Sequence, residues 1–401
     1  TNTALYLNNL GRALQIRYGR TGEPADLEEA VEVGREAVAA TPAGLPGRAL
    51  YLSALGLALR TRFGRTGVLA DLEEAVEIGR EAVAATPADH PSRVFYLNNL
   101  GITVQARFER TGALRDLEEA IDVARRVVAA TPADHPSRVL YLNNLAVAAQ
   151  VRFGRTGALD DLDEAVDVGR EVVATLSTGD PERLKYLGNL AGSLYARFER
   201  TGALDDLGEA IDVSREVVAV VPTGHPDLGR YLSTLGVAVL ARFGRTGLPA
   251  DLEEAIDACR EAVAAIPAAD PGRAVHLSNL GVAVHTRFER TGEAADLEES
   301  IEVGREAVEA TPTGHPSRAV RLHNLAATLL TRFESAGTPG DLEEAIDVGG
   351  AAVAATPARH PGRALYLNSL GVGLMARFER TRARADREAA VTALADAAAV
   401  E

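Results

Sequence analysis

Leu10, Leu55, Leu100, Leu145, Leu190, Leu235, Leu280, Leu325 and Leu370 stand 45 residues apart, and so do Arg17, Arg62, Arg107, Arg152, Arg197, Arg242, Arg287, Arg332 and Arg377. No insertion or deletion interrupts this register in the 401-residue chain before Arg377. A chain written in this way buries the apolar face of each copy against the adjacent copies, so the period predicts a stack of equivalent modules. Length alone would suggest two or three globular domains, but the unbroken period describes one elongated array. Its units are 1–45, 46–90, 91–135, 136–180, 181–225, 226–270, 271–315, 316–360 and an atypical 361–401.

Apolar residues make up 46% of the chain, with 4% aromatics and no Trp. That composition suits thin, close-packed helices better than a sheet, and the expected class is all-α. The net charge of -15 disfavours a nucleic-acid partner, because phosphate binding needs a basic stripe that displaces counterions. The cations are almost all arginines that recur beside carboxylates, with Lys185 the only lysine, and read first as structural partners. No stretch approaches the roughly 18 apolar residues of a membrane span, and no signal peptide is visible. The single Cys259 fits a reducing compartment, so a cytoplasmic location is expected. The first unit opens directly on a helix at Thr1, as a segment cut from a longer chain would.

In the unit 91–135, Leu97, Leu100, Gly101, Val104 and Phe108 have the spacing of one helical face and define a first helix, A. Pro91 is expected to start it, as are Pro46, Pro136, Pro181, Pro226, Pro271, Pro316 and Pro361 in their units, and Thr111-Gly112 to stop it. A second helix, B, is expected to open at Asp116, with Glu119 completing a capping box, and to end near Thr131-Pro132. Each unit is then a helical hairpin with a turn of about seven residues. Small residues recur in helix A at Gly11, Gly56, Gly101, Ala146, Ala191, Gly236, Gly281, Ala326 and Gly371, and in helix B at Ala30, Ala75, Ala120, Ala165, Ala210, Ala255, Ser300 and Ala345. Glycine inside a helix costs about 1 kcal/mol relative to alanine, so its recurrence implies a close neighbouring backbone.

The succession Leu97, Leu100-Gly101, Val104, Ala120 and Pro132 resembles the tetratricopeptide repeat, which implies an α-α superhelix of nine helical hairpins. It departs from that pattern in its longer period, in aliphatic residues where helix A carries aromatics, and in Ala124 where an aromatic is expected. Gly34, Gly79, Gly169, Ser214, Cys259, Gly304 and Gly349 take the place of Ala124 elsewhere. The recurring Leu-Asn-Asn-Leu-Gly, Arg-Phe-x-Arg-Thr-Gly and Asp-Leu-Glu-Glu-Ala strings resemble the repeats of large bacterial proteins that carry a caspase-like CHAT protease or another signalling domain. That resemblance implies a segment that senses or holds a protein partner within a larger regulator.

His90, His135, His225, His315 and His360 share one position with Asp180 and Asp270, a helix-capping pattern; a whole repeat between them is no metal-ligand spacing. Cys259 replaces Gly or Ala at a core position, with no histidine placed to activate it. No Gly-rich phosphate loop, serine elbow or compact metal motif is present, so neither enzyme activity nor a cofactor is expected. Arg107 is expected to form a bidentate bond with Glu119 or Asp116, the sharper alternative being an anion-binding ladder.

Positions that vary while the scaffold repeats are the candidates for contact with a protein or peptide. One column is Gln15, Arg60, Gln105, Gln150, Tyr195, Leu240, His285, Leu330 and Met375; the other contains Asn98, Asn143 and His323. By resemblance to tetratricopeptide arrays both face the concave groove, which gives Asn98, Gln105, Asn143, Gln150, Tyr195, His285 and His323 as the candidate peptide-binding residues. The neighbouring column Leu57, Ile102, Val147, Val237, Val282 and Val372 reads as core. The expected function is a non-catalytic binding scaffold; the alternative is a structural protein that self-associates through its repeated interfaces. The variant Gly101→Leu is expected to overpack the hairpin and lower stability by about 1–3 kcal/mol, and an unchanged melting temperature would remove this packing reading.

Overall fold

The computed structural model describes residues 2–45, 47–268, 270, 272–357, 360 and 362–399, and all regular structure among them is helical. Helix A of successive units is α1 (Thr3–Thr21), α3 (Arg48–Thr66), α5 (Arg93–Thr111), α7 (Arg138–Thr156), α9 (Arg183–Thr201), α11 (Leu228–Thr246), α13 (Arg273–Thr291), α15 (Arg318–Ala336) and α17 (Arg363–Thr381). Helix B is α2 (Pro24–Ala39), α4 (Leu69–Ala84), α6 (Leu114–Ala129), α8 (Leu159–Thr175), α10 (Leu204–Val220), α12 (Pro249–Ala264), α14 (Ala294–Glu309), α16 (Pro339–Ala354) and α18 (Arg384–Ala399). These 18 helices among the described residues match the nine expected hairpins. The chain forms two compact units, one up to Gly202 and one from Ala203 onward. Within each, every helix packs on its successor, and helix A also touches helix A of an adjacent repeat.

The sequence period becomes a core period. Leu27, Leu72, Leu117 and Leu162 are buried in the first unit, and Leu207, Leu252, Leu297 and Leu342 in the second. The small residues divide into two kinds of contact. A Cβ on Gly101 would lie 3.3 Å from Val123 Cγ1, and one on Gly236 would lie 2.6 Å from Cys259 Sγ, so this column brings the two helices of one hairpin together. A Cβ on Gly79 would lie 3.1 Å from Leu100 Cδ1, and the same leucine contact meets Gly34, Gly169 and Gly304 at Leu55, Leu190 and Leu325. Where the tetratricopeptide pattern has an aromatic, this chain has a gap that the next repeat fills with leucine.

The turn between helices A and B is shorter than the expected seven residues. Gly112 adopts the left-handed conformation at φ 70° and donates its N–H to Phe108 O at 2.7 Å, which closes α5. Thr111 Oγ1 then accepts the Ala113 N–H at 3.3 Å, and α6 begins at Leu114. Only Gly112 and Ala113 separate the helices. Arg382 occupies the glycine position of the last turn, at φ 57°, and is the only non-glycine residue at positive φ among those described.

The expected capping box does not form either. Asp116 is the third residue of α6, and its buried carboxylate accepts Arg107 Nε at 2.8 Å and Nη2 at 2.7 Å. Glu119 instead accepts Arg80 from the preceding repeat, at 2.9 and 2.5 Å. The turn backbone already satisfies the start of the helix, which frees both carboxylates for arginine. Similarly, Pro91 is not the first helical residue: it sits in a turn, and α5 starts at Arg93. The turn is held by the Ser92 N–H donating to His90 Nδ1 at 3.1 Å, and Asp180 Oδ1 takes the same bond from Glu182 at 2.8 Å. Pro136, Pro181, Pro226 and Pro316 lie in equivalent turns, whereas Pro46, Pro271 and Pro361 lie outside the described residues.

The arginines therefore serve different bonds. Arg62, Arg107, Arg152, Arg242, Arg287 and Arg332 clasp a buried aspartate of their own hairpin. Arg35, Arg80 and Arg125 in the first unit, and Arg215, Arg260 and Arg305 in the second, reach a glutamate on helix B of the following repeat. Arg138, the first residue of α7, donates to Val128 O at 3.2 Å and Thr131 O at 2.6 Å, capping the end of the preceding helix B. Removing a partner from a buried pair costs about 3 kcal/mol, whereas exposed pairs contribute roughly 0–1 kcal/mol. Arg152→Ala, which strands buried Asp161, is thus expected to lose about 3 kcal/mol in chemical denaturation, and Arg125→Ala, whose pair with Glu164 is solvated, less than about 1 kcal/mol. Equal losses would overturn this division of roles.

Candidate functional site

Residues four, three and four apart along helix A project on one outward face. In the first unit its first row is Leu50, Phe95 and Leu140, which are 41%, 50% and 45% exposed. The second row is Asn99, Asn144 and Asn189, and the third contains Leu57, Ile102 and Val147. The second unit repeats the arrangement with exposed Val275, Val320 and Leu365, then Asn279 and Asn324, then Val282 and Val372. Leu57, Val282 and Val372 are exposed, and Ile102, Val147 and Val237 half-buried, so reading this column as core is overturned. The helices of each hairpin pack through the opposite side of helix A, which leaves this row to solvent.

The asparagines between the apolar rows are positioned by adjacent repeats. Asn99 Nδ2 donates to Ser53 Oγ at 3.1 Å, Asn144 Nδ2 to Asn98 Oδ1 at 3.1 Å and Asn189 Nδ2 to Asn143 Oδ1 at 3.1 Å. Asn279 repeats the bond to Ser233 Oγ at 2.8 Å. Each amide spends one N–H on this ladder and keeps a second N–H and its oxygen to present outward.

Of the residues expected to contact a peptide, Asn98, Asn143, Gln150, His285 and His323 bond or pack across to the A helix of an adjacent repeat, whereas Gln105 and Tyr195 contact residues of their own helix. Asn98 is half-buried and Asn143 buried, and both accept the ladder bonds. Gln150 Nε2 donates to Asn189 O at 3.3 Å and to Ser193 Oγ, while Gln105 Nε2 donates to Glu109 Oε1 at 3.3 Å. Tyr195 packs on Phe198 with ring centroids 6.2 Å apart, and burial raises its hydroxyl pKa. In the second unit His285 Nε2 lies 3.1 Å from Thr331 Oγ1, and the His323 ring lies 4.9 Å from that of Tyr366; burial lowers both imidazole pKa values. Sequence reasoning missed the outward row because it searched for variation, whereas these positions are Leu, Phe or Val except at Lys185 and Arg230. The available signal was apolar recurrence two residues before the first of the two invariant leucines of helix A.

Among the described residues no group of three or more His, Cys, Asp or Glu side chains is placed to hold a metal ion, and no helix is long and apolar enough to cross a membrane. Cys259 is buried against the hairpin partner of its helix, near Gly236.

Residues 96–137, 139–175 and 183–227 match the tetratricopeptide repeat family, and the same 45-residue register continues on both sides of them. These matched stretches are similar to the tetratricopeptide repeat. None of the curated protein sequences matches it. Among solved structures, the chain is similar to a monomeric mutant of IFIT1 with Gppp-AAAA, at 13% identity over 98% of this chain and 78% of that one, with a TM-score of 0.50. It is similar as well to the C-terminal part of a TPR repeat-containing protein from Cytophaga hutchinsonii, at 11% identity over 80% and 99%, TM-score 0.48. The TPR-like repeats of a Podosopora anserina chain described as a kinesin light chain match at 24% identity over 54% and 98%, TM-score 0.41. At such identities the likeness is one of fold. Burial pushes the Cys259 thiol up to about 12, so a disulfide reagent at pH 8 is expected to leave the folded protein unmodified and to titrate one thiol after unfolding. Stoichiometric modification of the native array would contradict this placement.

Proposed function

We propose that the array is a protein-binding scaffold and that the outward face of its A helices receives an extended or helical segment of the partner. The observation that carries this reading is the pair of exposed apolar rows on either side of the asparagine ladder. Leu50, Phe95 and Leu140 in the first unit, and Val275, Val320 and Leu365 in the second, leave apolar side chains in water on neighbouring repeats, the kind of exposed apolar row that marks an interaction surface, with Lys185 and Arg230 interrupting it. The ladder offers side-chain amides to the main chain of the partner, and the apolar rows offer contacts for its side chains. In this reading Asn98, Asn143 and Gln150 hold the ladder in place, and Gln105, Tyr195, His285 and His323 border the face and contact the partner where repeats differ.

A nucleic-acid partner is the weaker reading. The IFIT1 structure includes a capped oligonucleotide, but that likeness is of fold alone. Most arginines of this chain are paired with carboxylates, and the net charge is -15. We read the unbroken period as one array that works without catalysis in the cytoplasm, as the sensing or adaptor segment of a larger bacterial regulator. The supports are the single cysteine and the repeated strings that resemble the CHAT-associated arrays.

The test is capture of partners from native cytoplasm on the immobilised chain, with Phe95→Asp/Leu140→Asp as the control variant. Both residues are exposed, so the variant is expected to retain the helical content and melting temperature of the wild type. A protein retained by the wild type and reduced at least tenfold by the variant is the expected result. Recovery of RNA, or of the bait alone with concentration-dependent mass, would replace this reading with nucleic-acid binding or self-association.

A further inference from the structure

Helix A carries Tyr6, Tyr51, Tyr96, Tyr141, Tyr186, Tyr231 and Tyr366 at one position of the period, and His276 and Arg321 break the column. Tyr96 and Tyr186 each help to close a small gap between adjacent repeats, leaving cavities of about 20 Å³ and 10 Å³. The equivalent gap between α13, α14 and α15 is lined by Arg321 instead and measures about 160 Å³. Its framework matches the first of these five periods earlier: Ser278 stands for Ser53, Asn324 for Asn99 and Thr328 for Thr103. Two further departures meet Arg321 in the same cavity, with His285 replacing Arg60 and Ser300 replacing Ala75.

Arg321 is 8% exposed. Its Nη1 donates to Thr311 Oγ1 at 2.6 Å, and no carboxylate pairs with it among the described residues. Burial accordingly lowers its pKa with no neighbouring acid opposing the shift, unlike the clasp arginine Arg332, whose bond to Asp341 raises its pKa. A buried cation without an anion is costly, so the cavity has the charge of a site that lacks its ligand.

We propose that this cavity binds a small organic monocarboxylate, held by the Arg321 guanidinium with its apolar end toward Val282 and Ala327. Arg321 has donors remaining in its planar fork, the geometry that matches a carboxylate in a bidentate manner. One fixed cation neutralises one negative charge; a phosphate dianion would leave a surplus charge buried. Burial keeps His285 neutral near pH 7, so it adds a polar contact with Ser278 and Ser300 and no second charge. A cavity of about 150 Å³ accommodates benzene, so the ligand has roughly six non-hydrogen atoms, the size of butyrate or lactate. This inference does not rest on the protein-binding reading, although Val282, Asn324 and His285 border both this gap between repeats and the outward face.

The test is calorimetric titration of the whole chain with sodium butyrate and sodium lactate, against sodium chloride and sodium phosphate at matched ionic strength. Saturable one-site binding of at least one carboxylate is expected, weakened at least tenfold in Arg321→Tyr. That variant installs the residue of the other repeats and is expected to melt no lower than the wild type. Arg321→Gln, which removes the charge but keeps the space, is expected to lose binding to the same degree. Absence of saturable binding by both carboxylates, equal affinity in both variants, or preference for phosphate or chloride would overturn the proposal.

Discussion

A carboxylate buried at the third residue of helix B needs a cation, and the guanidinium nine residues earlier supplies it. This clasp fixes the angle of the hairpin, because a bidentate bond tolerates little rotation of either helix. The two-residue turn follows from it: Gly112 reverses the chain at a left-handed position, and Thr111 takes the first N–H beyond it. With the hairpin angle set, leucine of each following repeat meets the small residue of the preceding helix B at the same depth. The clasp therefore determines the regularity of the stack, although apolar burial supplies most of its stability.

The acidic character of the chain has a structural explanation. Clasp, cross-repeat bridge and helix cap consume most of the arginines, whereas much of the glutamate and aspartate on the solvent side of helix B has no cation to neutralise it. Surface repulsion of this kind keeps a protein with identical neighbouring interfaces soluble. The outward face of helix A differs, since apolar and amide side chains predominate there, with Lys185 and Arg230 as charged exceptions. Charge and apolar exposure thus occupy opposite sides of one hairpin, which makes the A face the natural place for association.

The fold was legible because a period of 45 leaves few architectures, and the helical spacing of Leu97, Leu100 and Val104 selected among them. The clasp was legible only as two alternatives: Asp116 and Glu119 are both within reach of arginine in sequence terms, and only packing separates a buried carboxylate from an exposed one. The turn was misjudged because the Thr-Gly pair ends one helix and supports the start of the next, leaving almost no loop. The binding face was the least legible. Sequence variation marked half-buried Gln105 and Tyr195, but exposure depends on which side of helix A the partner helices cover. Arg321 was hidden for a related reason, since a single departure from Tyr carries no meaning until Ser300 and His285 are found beside it.

Arg382 gives the last hairpin a different character. Every other A-to-B turn uses glycine at this left-handed position, and a side chain there is strained by roughly 1 kcal/mol or more. The same hairpin has Arg387, exposed, where the other B helices bury leucine. In a linear array the free energy of opening is local, set by each repeat and its immediate contacts. Amide protons of α18 should accordingly exchange with solvent well before those of α14 or α16, so that thermal fluctuation peels the second unit from this hairpin inward and its B helices lose order in sequence.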